Sequence, residues 1–138
     1  IIIVTNTPEQ FKEFNRHIVT SDMFLKAGPL GGLHAAMKKS TGKAVFVFAG
    51  DMPFLDKGII LSQTNRFREL KCDALVPLVS GYLEPLHAIY SNSLDSGDSA
   101  VRDFLKISDV SYFEMPGTDE TIRAFTNINS PSDLAGLK

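Results

Sequence analysis

The chain has 138 residues, 43% of them hydrophobic and 22% charged, which fits one ordinary globular domain with a real core. Lys and Arg number 14 against 16 Asp and Glu, a net charge of −2 that gives no electrostatic case for nucleic acid or an anionic membrane as partner. The single cysteine, Cys72, excludes an internal disulfide and suits a reducing cytoplasm, and no apolar run approaches the roughly 20 residues of a membrane helix.

In chain order, Ile1 to Thr5 reads as an apolar strand. Thr7 and Pro8 then predict a helix start, with Phe11, Phe14 and Ile18 as its core stripe. Ile18-Val19 also reads as a short strand leading to Ser21-Asp22. Ala27 to Leu33 carries Gly28, Gly31 and Gly32 around Pro29 and Leu30, and opens a helix over Leu33 to Lys39. A glycine-rich turn entering a helix can bring backbone N–H groups close to an anion or a nucleotide edge, and it can equally be a tight connection between layers. His34 reads as a surface residue of that helix.

Ala44 to Ala49 is an unbroken apolar run, the pattern of a parallel strand buried on both faces, ended by Gly50-Asp51-Met52-Pro53. Asp51 thus falls at the C-terminal edge of a strand, where open α/β sheets bind ligands. Two readings of it stand: a carboxylate that holds Mg²⁺ against phosphate, or a turn cap. Asp56 caps a helix whose apolar positions are Ile59, Ile60, Phe67 and Leu70. Ala74 to Val79 is a third strand and Ser80-Gly81 a turn. Leu83 to Tyr90 resumes an extended pattern, with Glu84 and His87 as its candidate functional groups; for His87 a structural role is preferred. Asp98 or Ser99 can cap a helix carrying Val101, Phe104 and Leu105. Val110 to Met115 is a short strand, Pro116 to Glu120 a turn, and Ser130-Pro131 with Asp133 starts a last helix bearing Leu134 and Leu137. Alternating strands and helices predict a three-layer α/β domain with a mostly parallel central sheet.

Three ordered segments, Gly28-Pro29-Leu30-Gly31-Gly32, Gly50-Asp51-Met52-Pro53-Phe54 and Asn127-Ile128-Asn129-Ser130-Pro131-Ser132-Asp133-Leu134, with Leu83-Glu84-Pro85-Leu86 between the last two, resemble the molybdenum cofactor guanylyltransferases, the MobA-like nucleotidyltransferases. The resemblance implies a Rossmann-like fold over residues 1–138, a cytoplasmic enzyme, and transfer of GMP from GTP to molybdopterin or its molybdenum-loaded form with release of pyrophosphate. It implies Mg²⁺ as cofactor, with Asp51 as its ligand and catalytic group. It implies contact of Asp22, Gly28, Pro29, Leu30, Gly31 and Gly32 with the nucleotide. Asn127, Asn129 and Glu84 fall on the pterin side. Other proteins of molybdenum cofactor biosynthesis are the implied partners. Alternatives within this resemblance are a cytidylyltransferase, a transferase acting on another phosphorylated acceptor, and a relative that binds nucleotide without catalysis. The family's Leu-Ala-Gly-Gly loop and first strand do not occur in this sequence, and residues 90–99 are short against the family. The natural protein is therefore expected to carry an N-terminal segment ahead of Ile1. Residues 1–138 alone are expected to lack transferase activity.

Overall fold

The computed structural model describes residues 1–22, 29–94 and 109–135, the side chains of Pro29, Leu30 and Leu134 excepted. The expected helix with Val101, Phe104 and Leu105, its caps Asp98 and Ser99, and Leu137 lie outside the described residues. The chain divides into two compact units, residues 1–45 with 90–108, and residues 46–89 with 109–138.

In the first unit, β1 (Ile2–Val4) and β2 (Ile18–Thr20) pair in parallel, Ile2 opposite Ile18 and Val4 opposite Thr20. The helix expected after Thr7 is instead a run of tight three-residue turns. A 3₁₀ turn spans Pro8–Phe11, and it is followed by Phe14 N–H to Phe11 O at 3.0 Å and His17 N–H to Phe14 O at 2.9 Å. The spacing of the rings explains the change. Phe11, Phe14 and His17 stand three apart, and a three-residue turn eclipses such positions, so their rings meet at 5.9 and 6.4 Å. The stripe does not form a core: Phe14 is 49% and Ile18 45% exposed. Helix α1 (Pro29–Lys39) begins four residues earlier than the apolar pattern indicated and takes Gly31 and Gly32 into its first turns. It buries Leu33, His34, Ala35 and Met37. His34 is thus a core residue, not the surface residue expected, because α1 is covered on a broader face than its Leu33-Ala36-Met37 stripe.

The larger sheet has the order β3-β6-β4-β5, with β7 also on β4. Its strands are β3 (Ala44–Phe48), β4 (Ala74–Val79), β5 (Tyr82–Leu83), β6 (His87–Ser91) and β7 (Val110–Glu114). β4 and β7 are parallel, Ala74 opposite Val110. β4 and β5 form an antiparallel hairpin through Ser80 and Gly81. Both of those residues have positive φ, 50° and 86°, as a two-residue loop with the right twist requires. β3 and β6 are antiparallel, joined by Ala49 N–H to Leu86 O and Asn92 N–H to Lys43 O, each 2.9 Å. The sheet is therefore mixed. β4 carries the buried apolar run and stands between strands, as its sequence indicates. β3 is half-buried along its whole length, less than its sequence suggests, because it ends the strand order and has one paired edge among the described residues.

In the second unit, α2 (Lys57–Leu70) starts at Asp56, whose Oδ1 accepts from Ile59 N–H at 2.9 Å. Ile59, Ile60 and Phe67 are half-buried and Leu70 is exposed, whereas Gln63 is fully buried. The turn expected at Pro116 to Glu120 gives way to helix α3 (Asp119–Ala124), capped by Thr118. Ala124 and Phe125 close on Val79 and Met115 to make a core cluster, which rewards the extra helical turn. Helix α4 spans Pro131–Ala135. Cys72 is buried, and among the described residues no helix is long and apolar enough to cross a membrane.

Candidate functional site

Candidate residues of the first unit meet at the start of α1. A side chain at Gly31 would place its Cβ 2.8 Å from Asp22 Cγ and Oδ2, so the Asp22 carboxyl group occupies the space that glycine leaves. At Gly32 a Cβ would only touch Val4 Cγ1 at 3.8 Å. One glycine is thus required for close approach and the other is not. Gly28 lies outside the described residues, and Pro29 and Leu30 are described through their helical backbone alone.

The second unit holds Asp51, Glu84, Asn127 and Asn129. β3 ends in a tight turn, Met52 N–H to Ala49 O at 3.3 Å, with Met52 buried beneath it and Gly50 exposed. Asp51 rides on that turn. Its backbone oxygen accepts Ile128 N–H at 2.8 Å, which fixes the Asn127–Asn129 segment directly against it. Its Oδ1 is buried and has no hydrogen-bond partner among the described residues. A turn cap would be engaged with backbone N–H groups; this oxygen is not, and an orphaned buried carboxylate oxygen is costly unless a cation or donor reaches it. The geometry therefore fits a Mg²⁺ ligand better than a cap. Among the described residues no group of three or more His, Cys, Asp or Glu gathers around it, so other ligands would come from substrate oxygens and water.

The segment carrying Asn127 and Asn129 is ordered by residues that follow it. Asp133 Oδ2 accepts from Asn129 N–H at 2.9 Å and from Ser130 N–H at 2.8 Å, and these bonds hold its carboxyl group below the usual carboxylate range. Ser130 Oγ returns the favour to Asp133 N–H at 3.3 Å, the reciprocal pattern of a capping box. The two Asn side chains take no part in this and are exposed.

Glu84 sits where β5 passes into β6. Its N–H donates to Pro77 O at 3.0 Å and its carbonyl accepts from His87 N–H at 3.1 Å. Partial burial pushes its carboxyl group upward. His87 is fully buried among rings: Phe46 at 5.5 Å and Phe48 at 5.0 Å, both edge-on, and Phe125 at 4.2 Å. Neither ring nitrogen has a hydrogen-bond partner among the described residues, and burial lowers its pKa. It is a neutral core histidine, in line with the structural role preferred from the sequence. Gln63 Nε2 donates to His87 O at 3.1 Å, tying α2 to β6.

Sequence reasoning passed over Phe54 and Arg123. The Arg123 guanidinium lies 4.3 Å over the Phe54 ring, three residues beyond Asp51. The only signal was Phe54 itself, an aromatic held in the Asp51 motif with no apolar pattern to serve.

Similarity to known proteins follows the same residues. Residues 1–105 match the MobA-like NTP transferase domain. A probable molybdenum cofactor guanylyltransferase from Thermococcus kodakarensis is 38% identical over 139 residues, covering 94% of this chain and 67% of that protein. One from Natranaerobius thermophilus is 32% identical over 148 residues, covering 97% and 72%. The crystal structure of molybdopterin-guanine dinucleotide biosynthesis protein A from Archaeoglobus fulgidus superposes with a TM-score of 0.73 at 26% identity, covering 98% of this chain and 75% of that one. With the match spanning the start of α1 and the Asp51 turn, the chain belongs to the MobA-like NTP transferase family.

Proposed function

We propose that the protein is a molybdenum cofactor guanylyltransferase, which joins the GMP part of GTP to molybdopterin and releases pyrophosphate. Relatives of that name at 32% and 38% identity over nearly the whole chain support it. The observation that carries it is the buried, unpartnered Oδ1 of Asp51, held at the end of β3 and braced by Ile128.

An oxygen of the acceptor's terminal phosphate attacks the α-phosphorus of GTP, and the bond from that phosphorus to the pyrophosphate oxygen breaks. A phosphate monoester is already largely ionised near neutral pH, so the chain need not supply a strong base. Its task is to align two anions and offset their charge. Asp51 would hold Mg²⁺, which when bound neutralises phosphate charge and polarises the reacting phosphorus. The start of α1, with Asp22 over Gly31, receives base and ribose. Asn127 and Asn129, whose amides are not consumed by their own turn, hydrogen-bond the acceptor, and Glu84 borders it. The buried lone Cys72 is consistent with the reducing cytoplasm.

Pyrophosphate release by the full-length protein tests this. Release is expected with GTP only when molybdopterin is added, and more slowly with CTP. A preference for CTP, or release independent of acceptor, overturns the reading.

A further inference from the structure

Arg123 belongs to the last turn of α3, with Asp119 one helical turn before it and Glu120 three residues before it. Either carboxylate stands at the spacing of a helix ion pair. Arg123 takes neither. It has no ion pair or hydrogen bond from its guanidinium among the described residues, and its guanidinium carbon lies 4.3 Å over the centre of the Phe54 ring instead. A cation–π contact supplies the guanidinium with no hydrogen-bond acceptor. Its N–H edges remain free, and the ring removes much of the rotamer freedom that an exposed Arg would otherwise lose on binding. An exposed Arg held in this way is prepared for a planar or tetrahedral oxyanion. Its seat also defines which one. Phe54 is on the loop that carries Asp51, and four residues beyond Arg123 begins the Asn127–Asn129 segment that is hydrogen-bonded to Asp51.

We infer that Arg123 binds the phosphate group of the acceptor substrate, with Phe54 as the platform that orients it. This rests on the guanylyltransferase reading and adds a specific acceptor-binding residue to it. The reaction brings a phosphate monoester up to a triphosphate; a cation on the acceptor side offsets repulsion between them without occupying the nucleotide's own contacts.

The test is steady-state kinetics of the full-length protein and its Arg123→Ala, Arg123→Lys and Phe54→Leu variants, varying GTP and molybdopterin separately. Losing charged hydrogen bonds predicts a rise of about tenfold to a hundredfold in KM for molybdopterin in Arg123→Ala, with KM for GTP unchanged. Arg123→Lys recovers part of the loss, since charge is kept and the fork is not. Phe54→Leu gives a smaller rise in the same KM. An unchanged molybdopterin KM in Arg123→Ala, with the wild type active, overturns the inference and leaves the guanylyltransferase reading intact. For a wild type without guanylyl transfer, binding of inorganic phosphate is read directly from the Arg123 Nε–H resonance. A saturable shift that disappears in Phe54→Leu supports the anion site apart from the reaction, and an unmoved resonance overturns it.

Discussion

The start of α1 and the turn after β3, the two places proposed to meet a ligand, are built by opposite means. At α1 the device is the lack of a side chain: Gly31 leaves the room that the Asp22 carboxyl group fills. At the turn after β3 the device is a backbone lock, Ile128 N–H on Asp51 O, beside a side-chain Oδ1 that is buried without a partner among the described residues. The difference says where each region is vulnerable. The first fails when something is added, the second when something is taken away.

The largest effect is expected at Asp51. Asp51→Ala removes the carboxylate but keeps the backbone oxygen that accepts Ile128, so turnover should fall by about a thousandfold with the melting temperature nearly unchanged. A comparable loss of stability would mean that the carboxylate was structural after all.

Gly31→Ala is the counterpart by addition. Alanine favours a helix over glycine by about 1 kcal/mol, yet its Cβ meets the Asp22 carboxyl group. That group ends a short side chain that can rotate away, so the variant should remain folded and lose its Asp22 contact: nucleotide affinity falls about tenfold by calorimetry. Gly32→Ala, whose Cβ would make only an ordinary contact with Val4 Cγ1 at 3.8 Å, should bind normally and gain up to about 1 kcal/mol in stability. If both variants bind nucleotide as the wild type does, close approach at α1 has no functional content.

His87 sharpens the contrast from the stability side. Its pKa is lowered in the folded state, so the unfolded chain binds more protons wherever the two states differ. Stability contributed by the neutral ring is fully present above the unfolded value of about 6.5 and is lost as pH falls below it, by at most about 1.4 kcal/mol per pH unit. Urea denaturation at pH 7 and pH 5 should show this slope in the wild type and a flatter one in His87→Leu. Equal slopes would assign the acid sensitivity elsewhere.

The smallest effect is at Asp133. Asp133→Ala leaves Asn129 N–H and Ser130 N–H without their acceptor and loosens the segment on Asp51. A few-fold rise in KM for molybdopterin is expected, with GTP binding untouched.

Elements whose signals are local could be read directly from the sequence. β4, the Ser80-Gly81 turn, the Asp56 cap and the Ser130–Asp133 box each depend on residues within a few positions of one another. The failures share a different cause. Gln63 is buried because its amide reaches His87 O, a partner 24 residues away, and a hydrophobic period counts its polarity while missing that satisfaction. α3 hides in turn-like residues because its start, Thr118-Asp119-Glu120, uses the side chains that also make turns, and its stability comes from Ala124 and Phe125 in the core cluster. β3 carries the right residues for burial, but its depth is decided by its place at the end of the strand order. For the candidate site, the motifs pointed to Asp51 and the Asn pair, which the fold joins through Ile128 N–H on Asp51 O, whereas Arg123 on Phe54 is a contact across 69 positions that no local pattern announces.

Asp51 is proposed to hold a metal that binds with the nucleotide. Titration of GTP into the full-length protein and its Asp51→Asn variant, each with and without Mg²⁺, tests it most directly. Mg²⁺ is expected to tighten GTP binding in the wild type, and this gain to be lost in Asp51→Asn while metal-free binding is unchanged. A full Mg²⁺ gain in Asp51→Asn would contradict it.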